Sequence, residues 1–350
     1  MRVTLTQVAQ RAGVSLASAS RALNGESASA RTVELVARAA RELAYVPDAR
    51  AQSLKSGSTR QLAFAVADVG NHVYVEMLRA VEDTVREDGY RVLISSTGSA
   101  VPRDVELLQS LGRGFADGLV ISPLRITGEL LAELDHLSVP VVVIGLLPDD
   151  VAIDNVRANS PVGVGLAVDH LLASGRHRIG FVNGPLDTTP GRARGEAFRR
   201  ACAAAGLSIP AEASVVADDF TFAAGTDAAG TLLRQAEGLD AVVAANDLLA
   251  AGVYHAAAEL GLEVPGRLAV VGMDDSALAA QLLPTLTSVD LGSAARGRQA
   301  AELLLARLRD PDRPVQRRVV QPRLVVRSSS TAPSRPAASR PAGLTSEERP

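Results

Sequence analysis

The sequence predicts a small all-α unit at the N-terminus, followed by a larger α/β core with two doubly wound parallel sheets. In residues 3–25, VTLTQVAQRAGVSLASASRALNG, apolar side chains recur at helical spacing on both sides of a single glycine. From residue 62 onward, short apolar runs that end at Asp, Gly or Pro alternate with helical patterns. This alternation is typical of parallel strands joined by crossover helices.

Three helices are predicted in the first unit, which covers residues 1–46. Thr4 and Gln7 form a capping-box pattern at the first helix, and the glycine permits a sharp turn after it. Ser15 and Ser29 stand where caps of the second and third helices are expected. The buried face of the third helix is predicted to contain Val33, Val36, Ala40 and Leu43. Each helix is too short to be stable alone, so the three must pack together.

The core is predicted to contain two consecutive series of strands and helices. The strands of the first series are QLAFAVADV, RVLISST, DGLVISPL and VPVVVIG, with helices at 75–88 and 103–112. The strands of the second series are RIGFVNG, SVVAD, LDAVVAAND and LAVVGMDD, with helices at about 163–174, 192–205 and 248–260 and one from 224. Two such series form two lobes, and ligands usually bind at the carboxyl ends of the strands in doubly wound sheets.

Charge is distributed unevenly along the chain. Residues 1–60 contain eight Arg and one Lys against three Glu and one Asp, a formal charge of +5. The remaining 290 residues therefore carry −8 of the total of −3. A basic N-terminal unit on an acidic body indicates that this unit binds a polyanion, although surface charge without a partner is the alternative.

Several classes of site are disfavoured. The single cysteine, Cys202, leaves no internal disulfide and favours a reducing compartment, so we expect a cytoplasmic protein. The sequence shows no secretory signal pattern, no apolar run long enough for a membrane span, and no metal-ligand spacing among its five His residues. G-x-G-x-x-G, Walker and G-x-S-x-G patterns are absent, and Lys55 is the only lysine. We therefore expect no catalytic site, no cofactor and no metal.

Two short helices joined by a glycine turn in a basic unit predict a helix-turn-helix, whose second helix enters the major groove of DNA. Its groove-facing positions are predicted to be Leu16, Ala17, Ser20 and Arg21, and its packed positions Ala19, Ala22 and Leu23. Arg21 can bond a guanine bidentately, while Leu16 and Ala17 can contact thymine methyl groups. A helical cap on the α/β body, without DNA contacts, is the alternative.

The same stretch resembles the N-terminal signature of the lactose-repressor (LacI/GalR) family of bacterial transcription regulators. The resemblance continues in order to about residue 331, through LAYVPDARAQSL, DVGNHVYVEMLRAVEDTV, AVDHLLASGRHRIGFVNGP, AANDLLAAG, VVGMDDS and LVVRSSST. It implies a helix-turn-helix headpiece at 1–46, a hinge helix at 47–60, and a two-lobed core at 61–331 related to periplasmic sugar-binding proteins.

The resemblance also implies how the lobes divide the chain. One lobe would comprise residues 61–160 and 291–320, and the other residues 161–290 and 321–331. Residues 332–350, which are rich in Pro, Ser, Ala and Arg, are expected to be a disordered tail.

DNA-binding residues follow from the resemblance as well. Leu16, Ala17 and Arg21 match base-contacting positions of the family. Leu54 matches a hinge leucine that inserts into the minor groove at the operator centre, and packing against a partner hinge is its alternative role. The other expected DNA-binding residues are Thr4, Ser15, Ser18, Ser20, Asn24, Ser29 and Lys55, which match phosphate-contacting or helix-supporting positions or add charge to the hinge.

In the core, the resemblance implies six effector-binding residues at strand ends: Asn71, Tyr74, Arg194, Phe220, Asn246 and Asp274. An acceptor (Asp274), a forked donor (Arg194), an amide (Asn246) and an aromatic face (Phe220) suit a polyhydroxylated ligand such as a sugar. Taken singly, an Asp or Arg at a strand end is more often a helix cap or a surface charge.

The sequence departs from the family pattern near this site. His72 replaces a proline, and Gly98 and Gly145 stand where acids are usual. The Asp-Asn pair of the family corresponds either to Asp154–Asn155 or to Asn159–Ser160. We favour the second pair because it needs no five-residue insertion, and it removes an acid from the effector side.

These features predict a non-enzymatic transcriptional repressor that binds a palindromic operator as a dimer and is controlled by a small-molecule effector, with tetramer formation left open. A solute-binding protein of a transporter shares the two-lobed fold but needs no basic N-terminal unit. A nucleotide-dependent α/β enzyme needs a glycine-rich phosphate loop, which the first strand of the core lacks.

Overall fold

The structure, a computed structural model, describes residues 3–25, 27–46, 57–98 and 101–331. The chain forms two compact units, Met1–Arg60 and Gln61–Pro350. Leu54, Lys55, most of the predicted hinge helix and the predicted tail at 332–350 lie outside the described residues. Within the described ranges, no helix combines the length and the apolar composition needed to cross a membrane.

The described part of the N-terminal unit folds into helices α1 (Leu5–Ala12), α2 (Leu16–Leu23) and α3 (Ala30–Glu42). The predicted caps are confirmed. The Gln7 amide donates to Thr4 Oγ1 at 3.4 Å and the Thr4 amide donates to Gln7 Oε1 at 2.9 Å, which completes a capping box. The amide three residues further along donates to Ser15 Oγ at 3.1 Å and to Ser29 Oγ at 3.2 Å.

The small core of this unit consists of Val8, Ala9, Ala19, Val36 and Ala39. The prediction that Val33 is buried is wrong, because its side chain is 40% exposed. Successive helical residues are rotated by about 100°, so Val33 lies about 60° from Val36 around the axis of α3, at the edge of the buried face.

The first sheet of the core has six parallel strands in the order β11-β5-β4-β3-β1-β2. These are β1 (Gln61–Val66), β2 (Arg91–Ser96), β3 (Gly118–Ser122), β4 (Val141–Ile144), β5 (Asp154–Ala158) and β11 (Arg317–Val320). Helices α4 (His72–Arg86) and α12 (Ser293–Arg309) pack on one face, and α5 (Val101–Leu111) and α6 (Gly128–Asp135) on the other. The sequence prediction missed β5, β11, α6 and α12.

The second sheet has the order β12-β10-β9-β8-β6-β7 and is parallel except for the edge strand β12. Its strands are β6 (Ile179–Asn183), β7 (Ser214–Val216), β8 (Ala241–Ala244), β9 (Ala269–Met273), β10 (Thr287–Asp290) and β12 (Arg323–Val325). Its helices are α7 (Ser160–Ala173), α8 (Thr189–Ala204), α9 (Phe222–Gln235), α10 (Asp247–Glu259) and the short α11 (Ala277–Gln281). The prediction of two α/β lobes rich in parallel strands is confirmed.

Most predicted core helices begin one to three residues too late. Those predicted from 75, 192 and 248 begin at His72, Thr189 and Asp247. The apolar pattern starts inside each helix, whereas the first turn begins directly after a polar cap. Asn71, Thr188 and Asn246 each accept a backbone amide at such a start. The same loops place polar side chains at the carboxyl ends of the strands.

The chain passes between the two sheets three times. It leaves the first sheet after β5, returns between β10 and α12, and crosses again between β11 and β12. The Asn159 amide donates to the Val320 carbonyl at 3.0 Å, and the Asn159 side chain donates to Gln321 Oε1 at 3.2 Å, which joins two of the crossing segments. The strand ends of both lobes therefore line one cleft.

Candidate functional site

Helix α2 presents a polar and apolar surface to solvent. Leu16 is 50% exposed and Ala17 and Arg21 are exposed, whereas Ala19 is fully buried against α1 and α3. This is the division predicted for a recognition helix. A helix whose N-terminal half is open in this way can enter a major groove without disturbing the packing that holds it.

The remaining predicted DNA-binding residues of the N-terminal unit have structural roles. Thr4, Ser15 and Ser29 use their side-chain oxygens to cap helices. Ser18 Oγ lies 2.9 Å from Ser15 Oγ, and the Asn24 side chain donates to Ser20 Oγ at 3.4 Å. These contacts orient the two ends of α2. Leu54 and Lys55 lie outside the described residues.

The core contains a cavity of about 710 Å³ at the strand ends of both lobes. All six predicted effector-binding residues line it: Asn71, Tyr74, Arg194, Phe220, Asn246 and Asp274. They come from separate stretches of the sequence and are brought together by the β-strand ends, the starts of α4 and α10, and the second turn of α8. Its size and mixture of apolar and polar groups are typical of a small-molecule site.

Arg194 and Asp274 form the charged part of the second-lobe wall. The Arg194 side chain is only 10% exposed, its Nη1 donates to the Ala245 carbonyl, and its Nη2 lies 4.0 Å from Asp274 Oδ1. Burial lowers the pKa of Arg194 and raises the pKa of Asp274, although each charge opposes the shift of the other. The pair is loose enough for a ligand hydroxyl group to bond to both side chains.

The backbone at Asp274 is strained. Asp274 has a φ of 116° and Asp275 a φ of 50°, values that side chains other than glycine rarely adopt. The strain is held by contacts from neighbouring segments: the Asp275 amide donates to Ser288 Oγ at 3.0 Å, and Arg327 Nη2 lies 2.7 Å from Asp275 Oδ1. This backbone directs the Asp274 carboxylate into the cavity.

Sequence reasoning missed Asp247, the residue after Asn246. Its carboxylate accepts the Ser276 amide at 2.7 Å, Ser276 Oγ at 2.8 Å and Ser288 Oγ at 2.6 Å. Burial, together with the charge of Asp274, raises the pKa of Asp247 to about 7. Asp247 does not line the cavity; it ties α10 to the segments on either side of Asp274. The Asn-Asp pattern was the only signal for it, and the pattern does not distinguish its two members.

Phe220 and Asn246 are held together. The Asn246 side chain donates to the Phe220 carbonyl at 3.0 Å and accepts the Leu249 amide at 2.8 Å, so one amide hydrogen remains for a ligand. The Phe220 ring lies against Gly184, where an added Cβ would approach the ring to 2.2 Å. Glycine is therefore required at 184 for the ring to lie in the cavity wall.

The first-lobe wall contains Tyr74 and Asn71 at the start of α4. Tyr74 is buried and hydrogen-bonded with Ser122, and burial with the charge of Asp274 raises its pKa to about 12, so it is a neutral donor. Asn71 caps α4 through its Oδ1.

Two further features of the first-lobe wall concern the positions at which the family pattern has an acidic residue and this sequence has none. Gly98 has a φ of 71° and leaves space for the Arg103 guanidinium, whose Nη1 would lie 3.1 Å from an added Cβ. Asn159 and Ser160 line the cavity, whereas Asp154 does not and lies 3.0 Å from Arg307. The favoured Asn159–Ser160 pair therefore lies in the cavity wall, and its correspondence to the Asp-Asn pair of the family stays a prediction.

Sequence reasoning also missed Arg296, which lies in the first turn of α12 and lines the cavity. Its Nη2 donates to Ser293 Oγ at 3.3 Å. The neighbouring Gly297 lies against α4, where an added Cβ would be 2.4 Å from the Met77 carbonyl oxygen. No strand-end motif marked Arg296, because α12 reaches the cleft only through the second crossing between the lobes.

An ion pair joins the two lobes beside the cavity. Arg125, after β3, donates through Nε and Nη2 to the two oxygens of Asp187, after β6, at 2.8 and 2.9 Å. The hydrogen bonds lower the pKa of Asp187. The Thr189 amide also donates to the Leu124 carbonyl at 2.8 Å across the same boundary.

Comparison with known proteins assigns both units. The family described as "Bacterial regulatory proteins, lacI family" matches residues 4–48, and a "Periplasmic binding protein-like domain" matches residues 168–330. The ribose operon repressor of Escherichia coli K12 is 34% identical over 334 residues, which cover 93% of this chain and 99% of that protein. The chain belongs to the LacI family of bacterial regulatory proteins.

Solved structures agree with the assignment. The lac repressor dimer bound to operator and the anti-inducer ONPF has 25% identity and a TM-score of 0.85, over 95% of this chain and all of that one. The transcriptional regulator CelR in its cellobiose complex has 30% identity and a TM-score of 0.72, over 94% of this chain and all of that one. The chain is a LacI-family transcriptional repressor and not an enzyme, as predicted. Regulators of this family bind DNA and small-molecule effectors.

Proposed function

We propose that this LacI-family repressor binds a palindromic operator as a homodimer through its two headpieces. The exposure of Leu16, Ala17 and Arg21 on α2 carries the proposal. These three residues correspond to positions that contact the edges of the bases in the LacI family. Because the two headpieces of a symmetric dimer are related by a two-fold axis, the DNA sequence that they bind must be an inverted repeat. Leu54 and Lys55 are assigned to the hinge, which binds the minor groove and phosphates.

Exposed apolar side chains on the core support dimer formation. Leu93 and Ile94 on the edge strand β2 are 39% and 47% exposed, and Leu283 in the other lobe is 88% exposed. An edge strand with exposed apolar side chains is prone to pair with another chain. A tetramer lacks such support, because the sequence of the tail contains no leucine heptads.

The effector is a sugar or a close derivative that binds in the cavity. Tyr74, Ser122, Arg194, Asn246 and Asp274 offer donors and acceptors around the aromatic face of Phe220, an arrangement suited to a ring with many hydroxyl groups. The similarity to a ribose operon repressor and to a cellobiose-binding regulator supports the same ligand class.

Effector binding controls operator affinity through lobe closure. A ligand that bonds both walls favours one relative position of the lobes, and this position biases the ordering of the hinge on DNA. A coupling of about 1–3 kcal/mol gives roughly 5- to 150-fold control. In this mechanism the headpiece comprises residues 1–46, the hinge residues 47–60 and the effector-binding core residues 61–331. We place the protein in the cytoplasm, where it associates with the nucleoid when it binds its operator.

A gel-shift titration tests the proposal. Full-length protein is titrated onto DNA from upstream of its own gene and onto shuffled duplex, with and without ribose or cellobiose. We expect tight binding to an inverted repeat, and a change in affinity with a sugar that binds the core. Equal affinity for inverted repeats and random duplex, liganded or not, would refute the proposal.

A further inference from the structure

The charged groups at the cavity do not balance. Two guanidinium groups, that of the buried Arg194 and that of the half-buried Arg296, share one carboxylate in the cavity wall, that of Asp274. The Nε of each arginine is inaccessible to solvent and has no hydrogen-bond partner within the described residues. Asp274 is thus the one carboxylate of the cavity wall that faces both arginines, so the wall favours an anionic ligand.

Two carboxylates outside the cavity wall, Asp290 and Glu76, offset part of the charge of Arg296. Asp290 accepts Arg323 Nε at 2.9 Å and the Gly292 amide at 2.7 Å, so its charge is divided between Arg323 and Arg296. Glu76 is within electrostatic range of Arg296 but does not line the cavity. Asp247 accepts three hydrogen bonds from serines and their backbone, behind the cavity wall.

The rest of the cavity wall has the same bias. Its charged residues are Arg103, Arg157, Arg194 and Arg296 against Asp68, Asp219 and Asp274. Asp68 and Asp219 each accept a backbone amide at 2.8 Å, from Gly70 and Phe220. Within the described residues, neither Arg103 nor Arg157 makes an ion pair. The wall therefore has one positive charge in excess.

We propose that the effector is a sugar acid whose carboxylate pairs with Arg296, while its hydroxyl groups bond Arg194, Asp274 and Tyr74. The proposal rests on the proposed function and narrows its ligand class. A guanidinium binds a carboxylate through two parallel hydrogen bonds, and Nη1 of Arg296 makes no hydrogen bond within the described residues, while Nη2 makes a long one to Ser293 Oγ at 3.3 Å. One carboxylate neutralises the single excess charge, whereas a phosphate ester would bring close to two.

Thermal-shift assays and calorimetry on the full-length protein test the proposal. The probes are ribonate, gluconate, glucuronate and galacturonate, their neutral parents ribose, glucose and galactose, and the phosphates ribose 5-phosphate and glucose 6-phosphate. We expect at least one acid to raise Tm and to bind at least tenfold more tightly than its neutral parent.

Variants assign the preference to Arg296. Arg296→Gln is expected to weaken binding of the acid about tenfold or more, because the charge that pairs with the carboxylate is removed. Arg296→Met serves the same purpose if the glutamine variant folds poorly. Arg298→Gln, which removes an exposed arginine from the same helix, leaves acid binding unchanged.

The outcomes separate this inference from the proposed function. Responses only to neutral sugars or only to phosphates, acid binding that survives Arg296→Gln, or no response to any acid would each overturn the sugar-acid assignment. Operator binding in the gel shift is a separate readout and remains intact in those cases. Loss of operator specificity would instead refute the repressor mechanism.

Discussion

Among single residues, Arg21 has the most specific proposed role: it is exposed on the side of α2 that we propose faces the major groove. We expect Arg21→Ala to relax base preference at one position in each half-site and to cost about 1–3 kcal/mol there. Binding to a randomised operator library measures this preference.

Arg38→Ala is the matched control for Arg21→Ala, since Arg38 is an exposed arginine on α3 that lies 3.8 Å from Glu34. It changes the net charge equally and leaves the preference intact. A binding profile for Arg21→Ala with the wild-type preference at every position would contradict the assignment.

Lys55→Ala, in contrast, is expected to weaken binding to all DNA sequences alike if this lysine contacts phosphate.

Asp247 makes stability depend on pH. Its pKa of about 7 in the folded protein exceeds the value of about 3.9 in an unfolded chain, so between these values the folded state binds more protons. The free energy of unfolding therefore falls as pH rises from about 4 to 7, by at most about 1.4 kcal/mol per pH unit from this group. We expect Asp247→Asn to reduce that slope, as measured by urea unfolding at pH 5 and pH 7.

Asparagine can keep the local hydrogen bonds at 247, because its oxygen can accept the two Ser276 donors and its amide can donate to Ser288 Oγ. Asp169→Asn, at an exposed carboxylate on α7, serves as the control and keeps the wild-type slope. Equal slopes in the wild type and Asp247→Asn would show that the buried carboxyl is already ionised at pH 5.

At the scale of elements, the crossing of α12 and α4 positions both Arg296 and Tyr74. Gly297 permits that crossing, since an added Cβ would lie 2.4 Å from the Met77 carbonyl oxygen. We expect Gly297→Ala to lower the free energy of unfolding by about 1–3 kcal/mol and to weaken effector binding, because the helices must separate. Denaturant unfolding and calorimetry measure the two effects.

Gly165→Ala, on α7, is the matched control because an added Cβ there has no atom within 4 Å. Alanine favours a helix over glycine by up to about 1 kcal/mol, so this variant is expected to be as stable as the wild type or more stable. If the two substitutions lowered the free energy of unfolding equally, the effect of Gly297→Ala could not be assigned to the close crossing of α12 and α4.

Elements differ in how far the sequence predicted them. Thr4, Ser15 and Ser29 were located correctly because a cap depends on residues within three positions. Strands β1, β3, β4 and β6 were located because fully buried parallel strands are continuous apolar runs. Strands β5 and β11 were missed because they contain polar residues, and their pairing joins segments about 160 residues apart.

At the scale of the whole molecule, the Arg125–Asp187 ion pair joins the two lobes, so substitutions of it test whether the relative position of the lobes affects effector binding. The Asp187 carboxylate is 65% exposed, so water screens the pair and we expect it to contribute no more than about 1 kcal/mol. Arg125→Ala and Asp187→Asn should each weaken effector binding by up to about fivefold, measured by calorimetry, if closure brings these groups together.

The double variant distinguishes this role from a local effect. We expect it to bind effector no more weakly than either single variant, because the two substitutions remove one shared interaction. Arg86→Ala, which breaks an exposed pair within α4, leaves effector affinity unchanged. Additive losses in the double variant would show that the two groups do not act as a pair.

The sequence alone predicted the helix-turn-helix and the two α/β lobes, because local caps and apolar periodicity are written in short stretches of chain. Its resemblance to the LacI family supplied the six residues that line the cavity and are proposed to bind the effector. Only the tertiary structure revealed the excess charge in the cavity, the strained Asp274 backbone and the approach of Arg296. Burial and charge balance depend on segments that are distant in sequence, and three crossings between the lobes bring those segments to one cleft.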